Sequence, residues 1–423
     1  MADTIFALSS GRPPAAVSII RVSGPKAHQA GERIAGLLPE ARMAAVRELR
    51  HPETGELLDE ALVLKFAGPA SSTGEDIVEF QCHGGRAVVD SLLAALGCID
   101  EVREALPGEF TRRAFENGRI DLTEAEGLAD LIEAETEAQR KAALALAEGG
   151  LRQQIDVWRQ RLLELSARAE QAIDYDEDDS ADSGLLNDCG GLAIELQSWL
   201  DRPRIEILKD GVRVVVAGPP NSGKSSLLNA IAGSERAIVT EIPGTTRDHI
   251  EVPLAVGGLP ILLTDTAGLR ETTDAVEAIG VVRASALIGS AAVLLWLGEP
   301  ETAPDHPRVI RVHAQSDRPE RQQVPSGSLA VSSVTGRGLA ELLERIGATV
   351  ETLLPGEGAI VLNRRQAVLI EEAAAALGDP RNAELVILAE SLRRSRSAFD
   401  RLTGRAGVED VLDALFRRFC LGK

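Results

Sequence analysis

The sequence is poor in aromatic residues: 423 positions hold 8 Phe, 3 Trp and 1 Tyr. So few rings exclude a broad base-stacking platform for single-stranded nucleic acid. Cysteine is equally sparse. Cys82, Cys98, Cys189 and Cys420 stand far apart with no Cys-x-x-Cys pair, which argues against a structural zinc site and fits inert thiols in a reducing compartment. No apolar run approaches the roughly 18 residues that span a membrane; the longest, residues 291–297, is strand-sized. Met1-Ala2-Asp3-Thr4 lacks a basic n-region, so no signal peptide is expected. Positive charge is in deficit, with 45 Lys+Arg against 65 Asp+Glu and a net charge of −20. A field of that sign repels phosphate and excludes indiscriminate nucleic-acid binding, though not a local basic site. What is present, 44% hydrophobic and 26% charged residues, is ordinary for a multidomain globular chain.

Four stretches differ in character. Residues 1–118 mix β-like runs (17–22, 61–66, 77–80) and a short helix (88–96) with Gly and Pro turns, predicting an α+β domain. Residues 119–209 lose most of their Gly and Pro. From 122 to 172 apolar residues recur at helical spacing, with Gly149-Gly150 marking a break or tight packing and an acidic cluster, 174–182, that reads as a solvated loop. Residues 210–350 alternate strands (212–217, 261–263, 292–296, 309–312, 328–331) with helix-like segments, predicting a parallel α/β sheet. Residues 351–423 are helical again, with strong helix formers at 371–377. The order predicts an α/β domain inserted into one helical domain.

Gly218-Pro219-Pro220-Asn221-Ser222-Gly223-Lys224-Ser225 fits G-x-x-x-x-G-K-[ST], after an apolar strand and before a helix-like segment beginning at Ser226. In such a loop the backbone N–H groups surround phosphate oxygens, Lys224 reaches the β- and γ-phosphates, and Ser225 holds Mg²⁺. Downstream, Asp265-Thr266-Ala267-Gly268 follows a strand, suiting Asp265 to the outer Mg²⁺ contact and Gly268 to the γ-phosphate. Gly244-Thr245-Thr246 lies between, where a Thr can join the Mg²⁺ in an ordered switch. This ordered set predicts a GTPase.

The base-reading motif is eroded. Where GTPases usually carry Asn-Lys-x-Asp, this chain has Ala314-Gln315-Ser316-Asp317. Asp317 keeps the acceptor for the guanine N1–H and amine, so guanine preference is expected to survive with weakened affinity. Ser332-Ser333-Val334 resembles the last guanine-contacting loop. Leu269 stands where many small GTPases place a water-orienting Gln, and no arginine finger is evident. Asn221, three residues before Lys224, can ligate a monovalent cation beside the phosphates; on spacing alone a plain loop residue is as good a reading.

Together these segments resemble the bacterial tRNA-modification GTPase family MnmE, formerly TrmE. The resemblance covers essentially the whole chain. It rests on the phosphate loop, on residues 240–248 and 265–271, and on Arg21-Val22-Ser23-Gly24, Thr73-Gly74-Glu75-Asp76 and His83-Gly84-Gly85. Residues 107–115 and the terminal Phe419-Cys420-Leu421-Gly422-Lys423 complete it.

The resemblance implies a homodimer in which K⁺ is held by Asn221, Thr240, Ile242 and Thr245, and Mg²⁺ by Ser225 and Thr246. Glu241, Pro243 and Gly244 would line the nucleotide with them, and Glu277 would orient the hydrolytic water. It implies a folate-binding N-terminal domain that takes 5-formyl-tetrahydrofolate or a relative through Arg21, Glu79, Arg119 (Lys in most of the family) and Lys423. Cys420 would serve the modification near that pocket. An FAD-dependent partner, MnmG, would join it in a heterotetramer or larger complex. Together they would modify carbon 5 of the wobble uridine in tRNA, in the cytoplasm and away from membranes. Two other readings stay open: a GTP-switched RNA- or ribosome-assembly factor, and a folate-dependent aminomethyltransferase with a regulatory G domain.

The negative charge is uneven. Residues 119–209 hold 21 acidic and 10 basic residues, more than half of the net charge. Residues 351–423 are neutral and carry Arg393, Arg394, Arg396, Arg401 and Arg405, the expected place of tRNA contact.

Overall fold

The structure is a computed structural model that describes residues 3–175, 181–234, 237–239, 251–265, 286–356, 359–379, 384–407, 409–419 and 422. Contacts divide the chain into two compact units: residues 1–129, 152–155 and 399–423 in one, 130–151 and 156–398 in the other.

The first unit is built on a six-stranded sheet. Its strands are β1 (Thr4–Leu8), β2 (Val17–Ser23), β3 (Ala44–Arg50), β4 (Leu57–Phe66), β5 (Ile77–His83) and β6 (Val102–Glu104), in the order β3-β4-β5-β2-β1-β6. All neighbours are antiparallel except β1 and β6. The predicted strands are there; β1, β3 and β6 come in addition. β3 buries only Leu49, so its apolar signal is faint. Helices Ala27–Ala35 and Arg86–Gly97 cover the sheet, and Ile34, Leu92 and Leu96 join Val63, Val78 and Phe80 in one core. In the same unit, helix Glu409–Phe416 packs Leu412, Leu415 and Phe416 on Leu122, Ala125 and Ala129.

The second unit holds a seven-stranded sheet of β7 (Val212–Ala217), β8 (Ala237–Val239), β9 (Glu251–Val256), β10 (Leu259–Asp265), β11 (Val293–Trp296), β12 (Val309–His313) and β13 (Leu329–Ala330). The order is β13-β12-β11-β7-β10-β9-β8. The expected parallel arrangement holds for five strands and fails at one edge, where β9 runs antiparallel to both β10 and β8. A two-glycine turn, Gly257-Gly258, both at positive φ, joins β9 to β10 as a hairpin, which is why no crossover helix intervenes. Central β7 is buried almost throughout, as a strand covered on both faces must be. Helices Lys224–Ala232 and Leu339–Glu351 pack Leu227, Ile231, Leu342 and Ile346 on it.

The helical period of residues 122–172 resolves into Leu122–Glu133, Glu137–Ala147 and Gly150–Tyr175. One break is a capping box in which Thr136 and Gln139 exchange hydrogen bonds; the other falls at Gly149, at φ 83°. Helix Ser183–Leu200, before the sheet in sequence, packs against Arg364–Leu377, after it. The α/β domain is thus an insertion into a helical one. Trp158 meets Trp199 edge-on at 5.1 Å and donates its indole N–H to Glu195 at 2.8 Å. Part of the acidic cluster, residues 176–180, lies outside the described residues.

Among the described residues no helix is long and apolar enough to cross a membrane, and no cluster of three or more His, Cys, Asp or Glu side chains is placed to hold a metal ion. Cys82 and Cys189 are buried, and burial pushes both thiols up to about 11, so neither is a nucleophile at neutral pH.

Candidate functional site

The site lies at the carboxyl end of the parallel strands, where such sheets bind ligands. β7 ends at Ala217, and the loop after it turns on residues with positive φ: Gly218 at 157°, Asn221 at 62° and Gly223 at 92°. Gly223 then caps helix Lys224–Ala232 from the left-handed region, a conformation L side chains disfavour. Lys224 is only 8% exposed, and its ammonium donates to the carbonyls of Gly218 (3.1 Å) and Pro219 (2.8 Å). The helix N-terminus and the ammonium therefore converge on the loop and make an anion cradle.

Parallel pairing of β10 with β7 sets Asp265 beside Val216, at the level of the loop. Asp265 is 1% exposed and accepts the Ser225 hydroxyl at 2.7 Å. Two hard oxygen donors so placed suit a small divalent cation. Ser222 is buried beside the glycine turn, and Ser226 is exposed at the start of the helix.

Beyond β12, Ala314 is buried and Gln315 takes a left-handed φ of 59°. Its side-chain amide donates to the Asn221 carbonyl at 3.3 Å. Asp317 is exposed and takes a hydrogen bond from the Ser332 hydroxyl, which holds its carboxyl below the usual aspartate range. The Ser332 oxygen also accepts from the Val334 and Thr335 N–H groups, at 3.3 and 3.1 Å, so the last loop is folded around it. Ser333 follows in that loop.

In the first unit Arg21 and Glu79 face each other across β2 and β5 and form an ion pair at 2.8 Å, with the Arg21 guanidinium 5.7 Å from the centre of the Phe110 ring. Arg119 passes beside Gly74, where a Cβ would come within 3.3 Å of its Cγ. Gly422 brings the chain's end to the same sheet: its carbonyl accepts from Ser9 at 2.8 Å, and at φ 89° a Cβ there would collide with the Leu8 carbonyl at 2.0 Å.

Thr240, Glu241, Ile242, Pro243, Gly244, Thr245, Thr246, Thr266, Ala267, Gly268, Glu277, Cys420 and Lys423 lie outside the described residues. Two features escape sequence reasoning. One is the Gln315–Asn221 bond, since a Gln in the usual Lys position reads only as a loss. The other is Arg113, buried and bound to Asp3, Glu75 and Glu109. The pair Arg112-Arg113 reads as two equivalent surface charges, although Arg113 follows Phe110 by three residues and so shares its buried helix face.

Residues 122–420 match the family described as MnmE helical domain, and residues 4–119 match the family described as GTP-binding protein TrmE N-terminus. A protein of Erythrobacter litoralis named tRNA modification GTPase MnmE is 52% identical over 426 residues, covering 100% of both chains. One of the same name from Rhizorhabdus wittichii is 52% identical over 433 residues, covering 100% of this chain and 97% of its own. A solved structure, the G domain of the T. maritima FeoB iron transporter, is 27% identical over 33% of this chain and 98% of that chain, with a TM-score of 0.24. Two family descriptions that tile the sequence and full-length identity near one half have one meaning: the chain belongs to the MnmE family of tRNA modification GTPases.

Proposed function

We propose that this protein is a K⁺-activated GTPase which, with an FAD-dependent MnmG partner, modifies carbon 5 of the tRNA wobble uridine using a one-carbon unit from a tetrahydrofolate. The observation that carries the GTPase part is the cradle itself: Lys224 and the helix N-terminus on one side, the Ser225–Asp265 pair on the other. Ser225, with Thr246, would hold Mg²⁺, and Lys224 would draw charge from the β- and γ-phosphates as the bond to the γ-phosphoryl breaks. Mg²⁺ supplies charge neutralisation on the phosphate oxygens. By its resemblance to the family's glutamate, Glu277 would orient the water, a role Leu269 has no polar group to fill.

Asn221 offers a carboxamide for K⁺ together with Thr240, Ile242 and Thr245. Its left-handed φ is one that Asn tolerates better than most residues, which gives it a local reason as well. The salt test separates the two. Exchanging K⁺ for Na⁺ is expected to cut GTP turnover sharply in the natural protein, and Asn221→Ala to erase the difference. Equal rates of the natural protein in both salts would refute the cation role.

For the folate, Glu79 can accept from ring N–H donors and Arg21 carries charge beside an aromatic ring. Arg119 and Lys423 would add positive charge for the glutamyl tail, and Cys420 would stand at the pocket. The domains are assigned as 1–118 for folate binding and dimerisation, 119–209 and 351–423 for the helical domain, and 210–350 for the GTPase. Arg394 and Arg396, exposed on helix Leu385–Thr403, are offered to tRNA; Arg393 is paired with Glu390. The protein would work in the cytoplasm as a homodimer joined to MnmG. Mass spectrometry of tRNA from a strain lacking this chain is expected to show the carbon-5 group missing from wobble uridines; unchanged modification would defeat the assignment.

A further inference from the structure

We infer that the base site of this protein reads only the Watson–Crick edge of guanine, through Asp317, leaves N7 without a side-chain partner, and uses Gln315 to brace the phosphate loop. This inference rests on the GTPase assignment and concerns how the same site chooses its nucleotide.

Three observations meet here. The position that in other GTPases supplies a carboxamide to the purine is Ala314, a methyl group 2% exposed at the end of β12. Ser316 cannot replace it, because its hydroxyl oxygen is buried away from the surface a base would meet. The neighbouring carboxamide, on Gln315, is engaged elsewhere: its N–H₂ donates to the Asn221 carbonyl at 3.3 Å. Asp317 alone of the motif is exposed, and the Ser332 hydroxyl beside it holds its carboxyl below the usual aspartate range. An ionised carboxylate only accepts, so its natural partners are the N1–H and 2-amino donors of guanine and not N7, itself an acceptor.

The brace has a structural signature. Asn221 and Gln315 are two of only four non-glycine residues at positive φ among the described residues, and one hydrogen bond joins them. A left-handed Gln is strained and persists only where its surroundings hold it. The same side chain lies over Gly223, where a Cβ would come 3.3 Å from its amide nitrogen. Gln315 thus touches the loop at both ends of its last turn. It acts on affinity through the loop, as a positioning residue, and should do so whatever base is bound.

The test uses the full chain with Mg²⁺ and displacement of a fluorescent guanosine diphosphate by GDP, 7-deaza-GDP and ADP. Replacing N7 by C–H removes one acceptor and leaves the Watson–Crick edge intact. The natural protein is expected to bind 7-deaza-GDP within about twofold of GDP, and ADP at least about tenfold more weakly. Restoring a carboxamide by Ala314→Asn should make GDP about fivefold tighter than 7-deaza-GDP, the worth of one neutral hydrogen bond. Gln315→Ala should weaken both guanine nucleotides in parallel, by about fivefold, with Gln315→Lys restoring them because an ammonium can reach the same carbonyl. A natural protein that already binds 7-deaza-GDP fivefold or more weakly than GDP would overturn the inference and leave the GTPase assignment standing. So would a Gln315→Ala protein with unchanged affinity. Equal affinities for GDP and ADP would overturn both.

Discussion

Lys224→Ala is expected to lower single-turnover GTP hydrolysis by about 100- to 1,000-fold, the scale of losing one preorganised donor to developing charge. The structure gives the reason. The ammonium is 8% exposed and already lodged on the carbonyls of Gly218 and Pro219, so its entropy of ordering is spent before nucleotide arrives. Lys224→Arg should not rescue, because a planar fork does not fit a cradle built for a point charge. The measurement is phosphate release at saturating GTP, with melting temperature read alongside. A variant that melts like the natural protein and still turns over within tenfold of it would remove Lys224 from the chemistry.

The phosphate cradle was legible because its parts are local. A turn that needs glycine, a lysine and a hydroxyl must follow one another, and the apolar strand before them must be covered on both faces. Asp265 was legible for a related reason, since it ends a strand that pairs with β7 in parallel. Arg21 and Glu79 became candidates only through resemblance; no spacing tells that positions 58 residues apart lie opposite each other on β2 and β5. The antiparallel edge was missed because Glu251–Val256 and Ala237–Val239 are short and flank a span that reads as switch rather than sheet. Gln315 was missed most instructively. Its residue type signals the loss of a lysine, whereas its bond to the Asn221 carbonyl keeps the position in touch with the phosphate loop.

Arg113→Met is expected to destabilise the first unit by about 3–5 kcal/mol, the cost of removing one partner from a buried charge cluster. Arg113 is 7% exposed and donates to the Asp3 carbonyl at 2.7 Å, to the Asp3 carboxylate at 2.8 Å, to Glu109 at 3.1 Å and to Glu75 at 3.2 Å. A methionine fills similar volume but leaves Glu75 without its arginine, and Asp3 and Glu109 with Arg103 alone. The dependence on pH distinguishes this account from simple packing. Burial raises the Glu109 carboxyl, but bonds from Arg103, the Leu106 N–H and Arg113 outweigh it and hold it below its ordinary 4.5. Asp3 is likewise lowered, chiefly by its bond to Arg103. A carboxyl whose folded value is depressed contributes stability that is complete above its unfolded value and is lost as pH falls through the folded one. In Arg113→Met both carboxyls move back toward their unfolded values, so less remains to be lost in acid. The gap between natural protein and variant in urea unfolding should therefore be full at neutral pH and close as the solution is taken below the ordinary glutamate range. A gap that stays constant into acid would mean that Arg113 holds the unit together by volume and not by charge.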